Sequence, residues 1–339
     1  MHIRSKIAAV FALGALLAGC AGGGSGFSPQ TPSGSSAGPT TQSIPRSALG
    51  SDGRVMTFFY TKQIEQSGHV VGNTSGPRAM ATSSNMTYHN GPIQPAPKVY
   101  VVYWGSAWNT STGDPHGVHA YYDKYMAAIG GSQWLNTVKQ YTQSNGTHVG
   151  NASSIYNAST SSWVDTTNAV PNLNGSNYQS LFAAEAARAA AHFNDYSVNA
   201  SYVIAVSHGV AVNGFAGSCS GWICYFQQLY CAWHSSTAAN GSTIAYTNLP
   251  YIPDAGSSCG VGSVTSPGYD DGVSIVGGHE QAETETDPQP NTGWLDSSNG
   301  EIGDKCAWTN LQNTSFASGT FPTQPLWSNA ISGCSQTGQ

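Results

Sequence analysis

Lys98-Val99-Tyr100-Val101-Val102-Tyr103-Trp104 is a run of β-branched and aromatic residues entered from Pro95-Ala96-Pro97 and stopped by Gly105. Such a run, too short for a typical helix and bounded by Pro and Gly, reads as a buried strand. Tyr202-Val203-Ile204-Ala205-Val206 reads the same way. Between and around them, helices are expected over about His119 to Ile129, Gln133 to Tyr141 and Tyr178 to Phe193, the last from its alanines and the helical spacing of Leu181, Ala184 and Ala187. A further helix is expected over about Val273 to Thr286, ending before Asp287-Pro288 because proline disfavours helix at its predecessor. The order predicts an α/β protein, with a mixed α+β arrangement also open.

Working outward, residues 86 to 339 are long enough for one sizeable core and contain no visible repeat. Residues 51 to 85 include Phe58, Phe59 and Tyr60 and read either as a pro-region or as a strand packing on the domain. Ala21 to about Gly50 is rich in Gly, Ser, Thr and Pro, cannot bury a core, and reads as a flexible tether. The first nineteen residues carry Arg4 and Lys6 ahead of an apolar run, Ile7 to Gly19, the layout of a secretory signal. Its end, Leu17-Ala18-Gly19-Cys20, resembles the lipobox of bacterial lipoproteins, which implies lipidation at Cys20 and attachment to a membrane through acyl chains.

Only 8% of residues are charged and the net charge is -6, so the chain has no basic footprint for nucleic acid or anionic lipid. Six cysteines remain after Cys20: Cys219, Cys224, Cys231, Cys259, Cys306 and Cys334. An even count in an exported chain favours three disulfides, in a pairing the sequence leaves open. Cys231 and His234 have metal-ligand spacing, but no second spaced pair completes a site.

The residues that point to chemistry are His279-Glu280-Gln281-Ala282-Glu283, preceded by Gly277-Gly278. Positions i and i+4 share a helical face, so His279 and Glu283 can bind one metal ion while Glu280 reaches a metal-bound water as general base. This is zincin spacing with Glu in place of the second His. Glu301 is expected as the third ligand, with Asp287 and Asp304 as rivals. A histidine favours zinc, and calcium is the alternative if oxygens alone coordinate. Ser207-His208 follows a predicted strand, but no G-x-S-x-G elbow supports a serine hydrolase.

Tyr88-His89-Asn90-Gly91-Pro92-Ile93, the Lys98 to Gly105 strand, Cys231-Ala232-Trp233-His234-Ser235, Ala245 to Tyr251, His279-Glu280 with Ala282-Glu283, and Asp304-Lys305-Cys306-Ala307-Trp308 together resemble the phosphate-induced protein (EXORDIUM) family. The resemblance covers most of residues 88 to 310 and implies an extracellular protein. It adds His234, in a Cys-x-x-His element, as a group that could donate a hydrogen bond in a catalytic site. Two functions are thus expected. One is an extracytoplasmic zinc hydrolase acting on a peptide or cell-surface substrate; the other is a non-catalytic surface or carbohydrate-binding protein presenting Trp104, Trp108, Trp222 and Trp233.

Overall fold

The Lys98–Trp104 run is a strand, with Val99, Val101, Val102, Tyr103 and Trp104 buried. The computed structural model describes residues 44–67, 70, 84–218 and 230–338. In chain order the elements are β1 (Ser47–Leu49), β2 (Val55–Tyr60), α1 (Lys62–Gln66), β3 (Thr87–Tyr88), β4 (Lys98–Trp104), α2 (Val118–Ile129), α3 (Ala158–Ser161), β5 (Ser162–Asp165), α4 (Tyr178–Phe193), β6 (Ala200–Val206), β7 (Tyr230–Ala239), β8 (Ser242–Leu249), α5 (Asp271–Thr286), β9 (Trp294–Leu295), β10 (Gln312–Phe316), β11 (Gly319–Thr323), β12 (Leu326–Ser328) and β13 (Gly333–Ser335).

Seven of these strands make one mixed sheet in the order β1-β2-β7-β8-β6-β4-β5. The β5, β4, β6 and β8 strands run parallel, while β7, β2 and β1 add antiparallel neighbours. The three remaining pairs, β3 with β9, β10 with β11 and β12 with β13, are two-stranded. The class is mixed α+β around a large sheet.

Side-chain alternation on β7 explains how the sheet is covered. Trp233 points to one face, where it meets Phe182 and Tyr178 of α4 with ring centroids 5.7 and 6.0 Å away. His234, one residue on, therefore points to the other face, where α5 lies. The Ala-rich α4 runs over Tyr178–Phe193 as expected and is closed by Asn194 in the left-handed conformation, φ 51°. The Gln133 to Tyr141 stretch corrects the expectation of an α-helix: Leu135–Gln140 is a 3-10 helix. Asn136, Thr137 and Val138 are poor α-helix formers, and the Thr137 hydroxyl bonds the carbonyl of Trp134.

The sheet begins at Ser47, inside the stretch read as a tether and ahead of the expected boundary at residue 86. Composition hid this because within that stretch Ser47, Ala48 and Leu49 stay largely accessible and Arg46, 1% exposed, is a charged residue in a Pro/Ser/Gly setting. Residues 51 to 66 thus contribute a strand within the sheet, with Phe59 opposite Ala232 and Thr57 opposite His234.

Disulfides join Cys231 to Cys259 and Cys306 to Cys334. Such bonds form in an oxidising compartment, which agrees with a protein that folds after export. Cys219 and Cys224 lie outside the described residues, as do Trp222, the signal-like segment and Cys20. No helix among the described residues is long and apolar enough to cross a membrane.

Candidate metal centre between the sheet and helix α5

Every residue of α5 is buried, including Glu280, Glu283 and Glu285. Gly277 and Gly278 allow this. A Cβ on Gly277 would come within 2.4 Å of the Tyr122 ring, and one on Gly278 within 2.1 Å of the Tyr125 hydroxyl. The glycine pair thus lets α5 press against α2. Gly278→Ala gains helix propensity of about 1 kcal/mol, but it must displace Tyr125. We expect a net loss of about 1–3 kcal/mol, readable as a lower urea midpoint.

The close packing brings the predicted residues together. His279 Nε2 lies 3.0 Å from Glu283 Oε1 and 3.9 Å from Asp304 Oδ1. From β7, His234 Nδ1 lies 3.1 Å from Glu280 Oε2 and 3.7 Å from Glu283 Oε2. Its Nε2 lies 3.4 Å from Glu301 Oε1. Two triads of potential ligands result, His279–Glu283–Asp304 and His234–Glu280–Glu283, and Glu283 belongs to both. Glu301, ranked first as third ligand beside His279, sits instead against His234, and Asp304 takes the place expected of it. Asp287 lies against Glu301 and not beside His279, and its Oδ1 accepts the backbone N–H of Gly293 at 2.8 Å.

Arg46, Glu65, Phe59, Trp308 and Gln324, none of them expected at the site from the sequence, complete it. The Arg46 guanidinium forks onto both oxygens of Glu65 and donates to Asp304 Oδ1 at 2.7 Å. Phe59 stacks on the His279 ring with centroids 3.8 Å apart, and Trp308 stacks behind it at 4.7 Å. Gln324 Nε2 lies 3.0 Å from His279 Nδ1 and donates to the carbonyl of Gly303 at 2.8 Å. Gly303 is required here, since a Cβ would fall 2.5 Å from His279 Nδ1. A lone arginine in a Pro/Ser/Gly segment carries no local sign of a partner far along the chain.

The electrostatics are unbalanced. Glu65, Glu280, Glu283, Asp287, Glu301 and Asp304, all at most 1% exposed, face one guanidinium and two imidazoles. Even with both rings protonated, three positive charges meet six carboxylates, so protons or a further cation must make up the difference. Burial pushes Glu301 well up and raises Glu280, in both cases against the attraction of His234. Burial likewise lifts Asp304 to about 8, although Arg46 opposes it. Glu283 alone is lowered, because His279, His234 and Arg46 outweigh its burial. Burial disfavours charge on both imidazoles, yet the carboxylates around them raise His279 and raise His234 further.

Several buried atoms of the cluster have no hydrogen bond of good geometry: Nε2 of His234 and His279, Oε1 of Glu280, Oε2 of Glu283 and both oxygens of Glu301. Native interiors leave few such groups, and a concentration of them marks a place where something else binds. His208 is not part of the cluster. It is exposed at the end of β6, with Nδ1 2.5 Å from Asp254 Oδ1. Trp104, Trp108 and Trp233 are buried core residues, at most 4% exposed, so they present no surface to a sugar.

No protein-family model matches the chain, and neither the curated proteins nor the solved structures yield a match.

Proposed function

We propose that the chain is an extracytoplasmic zinc-dependent hydrolase of peptide or amide bonds, its ion seated between β7 and α5. The observation that carries this reading is the convergence of unpartnered imidazole and carboxylate atoms in a fully buried, charge-unbalanced cluster. Of the two triads, His234–Glu280–Glu283 has the better claim. Asp304 Oδ1 is already held by Arg46, and His279 Nδ1 faces an amide N–H, which puts the ring proton on Nε2, 3.0 Å from Glu283 Oε1. His234 has the opposite arrangement. Its Nε2 faces Glu301, the carboxylate–histidine pattern that fixes a ring with its other nitrogen toward a metal. The separations of 3.1 and 3.7 Å suit ligands spaced around one ion with bonds of about 2.0–2.2 Å.

In this arrangement His234, Glu280 and Glu283 would hold the ion, His279 would steady Glu283, and zinc would act as a Lewis acid that activates a water. Bound zinc lowers the pKa of that water to about 7. Zinc held there would supply the chemistry of amide hydrolysis, in which the oxygen of water joins the carbonyl carbon, the carbon–nitrogen bond breaks and the proton released by that water goes to the departing amine. The zincin-like HExxE spacing supports the alternative roles, with His279, Glu283 and Glu301 as ligands and Glu280 as base. The Leu17 to Cys20 lipobox resemblance and the EXORDIUM resemblance support a place on the cell envelope, through a lipid anchor, facing a peptide or cell-surface substrate.

Complete burial of the cluster, with Phe59 and Trp308 stacked over His279, favours a second reading in which the ion is structural and the chain a non-catalytic surface protein. Elemental analysis and peptidase assays on dialysed wild type, Glu280→Gln, His234→Ala and His279→Ala separate these. We expect one equivalent of zinc in wild type, its loss from the His234 and Glu280 variants, and a weakening of about 10–100-fold for His279→Ala. Full zinc in Glu280→Gln with turnover abolished would return Glu280 to the role of base. Zinc without turnover in wild type would leave the structural reading, and no metal in any sample would remove both.

A further inference from the structure

Among the described residues, the exposed aromatic ring is a tyrosine and not a tryptophan. Tyr269 is 47% exposed and lies against the exposed imidazole of His116, with ring centroids 4.2 Å apart and planes within 18°. The two rings rim a cleft of about 330 Å³ bounded by the approach to α2, the loop entering α5 and the β10–β11 hairpin. Its size falls at the small end of ligand pockets.

The polar lining narrows what the cleft would take. Asp270 occupies the residue before α5 but makes no capping hydrogen bond, and its Oδ1 has no partner. Asp271, by contrast, is spent on the backbone N–H groups of Val264 and Thr265 and on the Thr265 hydroxyl. No Lys or Arg lines the cleft, which disfavours an anion, and one free carboxylate is too few for a hard cation that needs six or more oxygens. What remains is a flat aromatic face, one acceptor carboxylate, and the amide and hydroxyl of Asn313 and Thr320.

We propose that this cleft binds a pyranose sugar, with the apolar face of the sugar ring on Tyr269 and its hydroxyls bonded to Asp270 and Asn313. The site is independent of the buried cluster and stands whether or not a metal is found there. The test is saturation-transfer NMR on the full chain with methyl β-glucopyranoside, methyl α-mannopyranoside, N-acetylglucosamine and a neutral tetrapeptide, alongside Tyr269→Ala and Asp270→Asn. At least one sugar should receive saturation on one ring face at a dissociation constant of about 10 mM or tighter. Binding should weaken roughly tenfold or more in Tyr269→Ala, a surface change that leaves the melting curve in place. No transfer to any of the sugars, transfer to the peptide alone, or sugar binding unchanged in both variants would each overturn the proposal.

Discussion

Arg46→Ala is expected to destabilise the protein by about 3–5 kcal/mol, the cost of breaking a buried ion pair from one side. The guanidinium is 1% exposed and is the shared partner of Glu65 and Asp304, themselves 0% exposed. Removing it takes a full positive charge from between two buried carboxyl groups. Asp304, which burial already lifts to about 8, can take up a proton and soften the loss; Glu65, also raised by burial, must do the same. Arg46→Lys should recover little, because an ammonium cannot fork onto Glu65 while reaching Asp304. Urea unfolding at neutral pH reads the effect, and a loss under about 1 kcal/mol would mean the three groups are not coupled as described.

A comparable effect is expected from Glu285, with a signature in pH. This carboxyl is 0% exposed and accepts one hydrogen bond, from Gln281 Nε2 at 2.9 Å, while its Oε2 has no partner. Burial raises it to about 8 from an ordinary value of 4.5. Between those values the folded chain holds a proton that the unfolded chain has released. Stability therefore falls as pH rises from about 5 to about 8 and levels off above. At about 1.4 kcal/mol per unit, the total is on the order of 3–5 kcal/mol. Glu285→Gln should remove this slope, matching wild type near pH 4 to 5 and exceeding it by most of that amount at about pH 9. Equal urea midpoints for the two proteins at about pH 9 would show that Glu285 ionises without penalty.

How much of this was legible depended on where each element keeps its signal. Lys98–Trp104 and Tyr178–Phe193 carry theirs locally, in a continuous apolar run and in alanine spacing, and both elements span the residues expected. By contrast β7 and β8, near the middle of the sheet, were not read as strands. Ser235, Ser236 and Thr237, then Thr243, Thr247 and Asn248, dilute their apolar pattern although Ser235, Thr247 and Asn248 are buried. The α5 residues were legible because helical geometry alone places His279 and Glu283 on one face. Which residues would meet them was a different matter. Asp304, a rival for the third position, lies beside His279 while Glu301 lies against His234, and nothing near Arg46 or Glu65 announces a buried charge. Burial of the tryptophans could not be read from composition either, since an aromatic count is the same for core and surface.

The Arg46 bridge also orders events during folding. Its two acidic partners are 19 and 258 residues away along the chain. The first is close enough to be met early, and β2 must then wait for β7, whose Ser235 pairs with Met56. Contacts of such long sequence separation form late and slow the search for the native state. Strands β1 and β2 can pair with each other early, but β2 gains its β7 neighbour only once Tyr230–Ala239 has been made, and Arg46 meets Asp304 only after that.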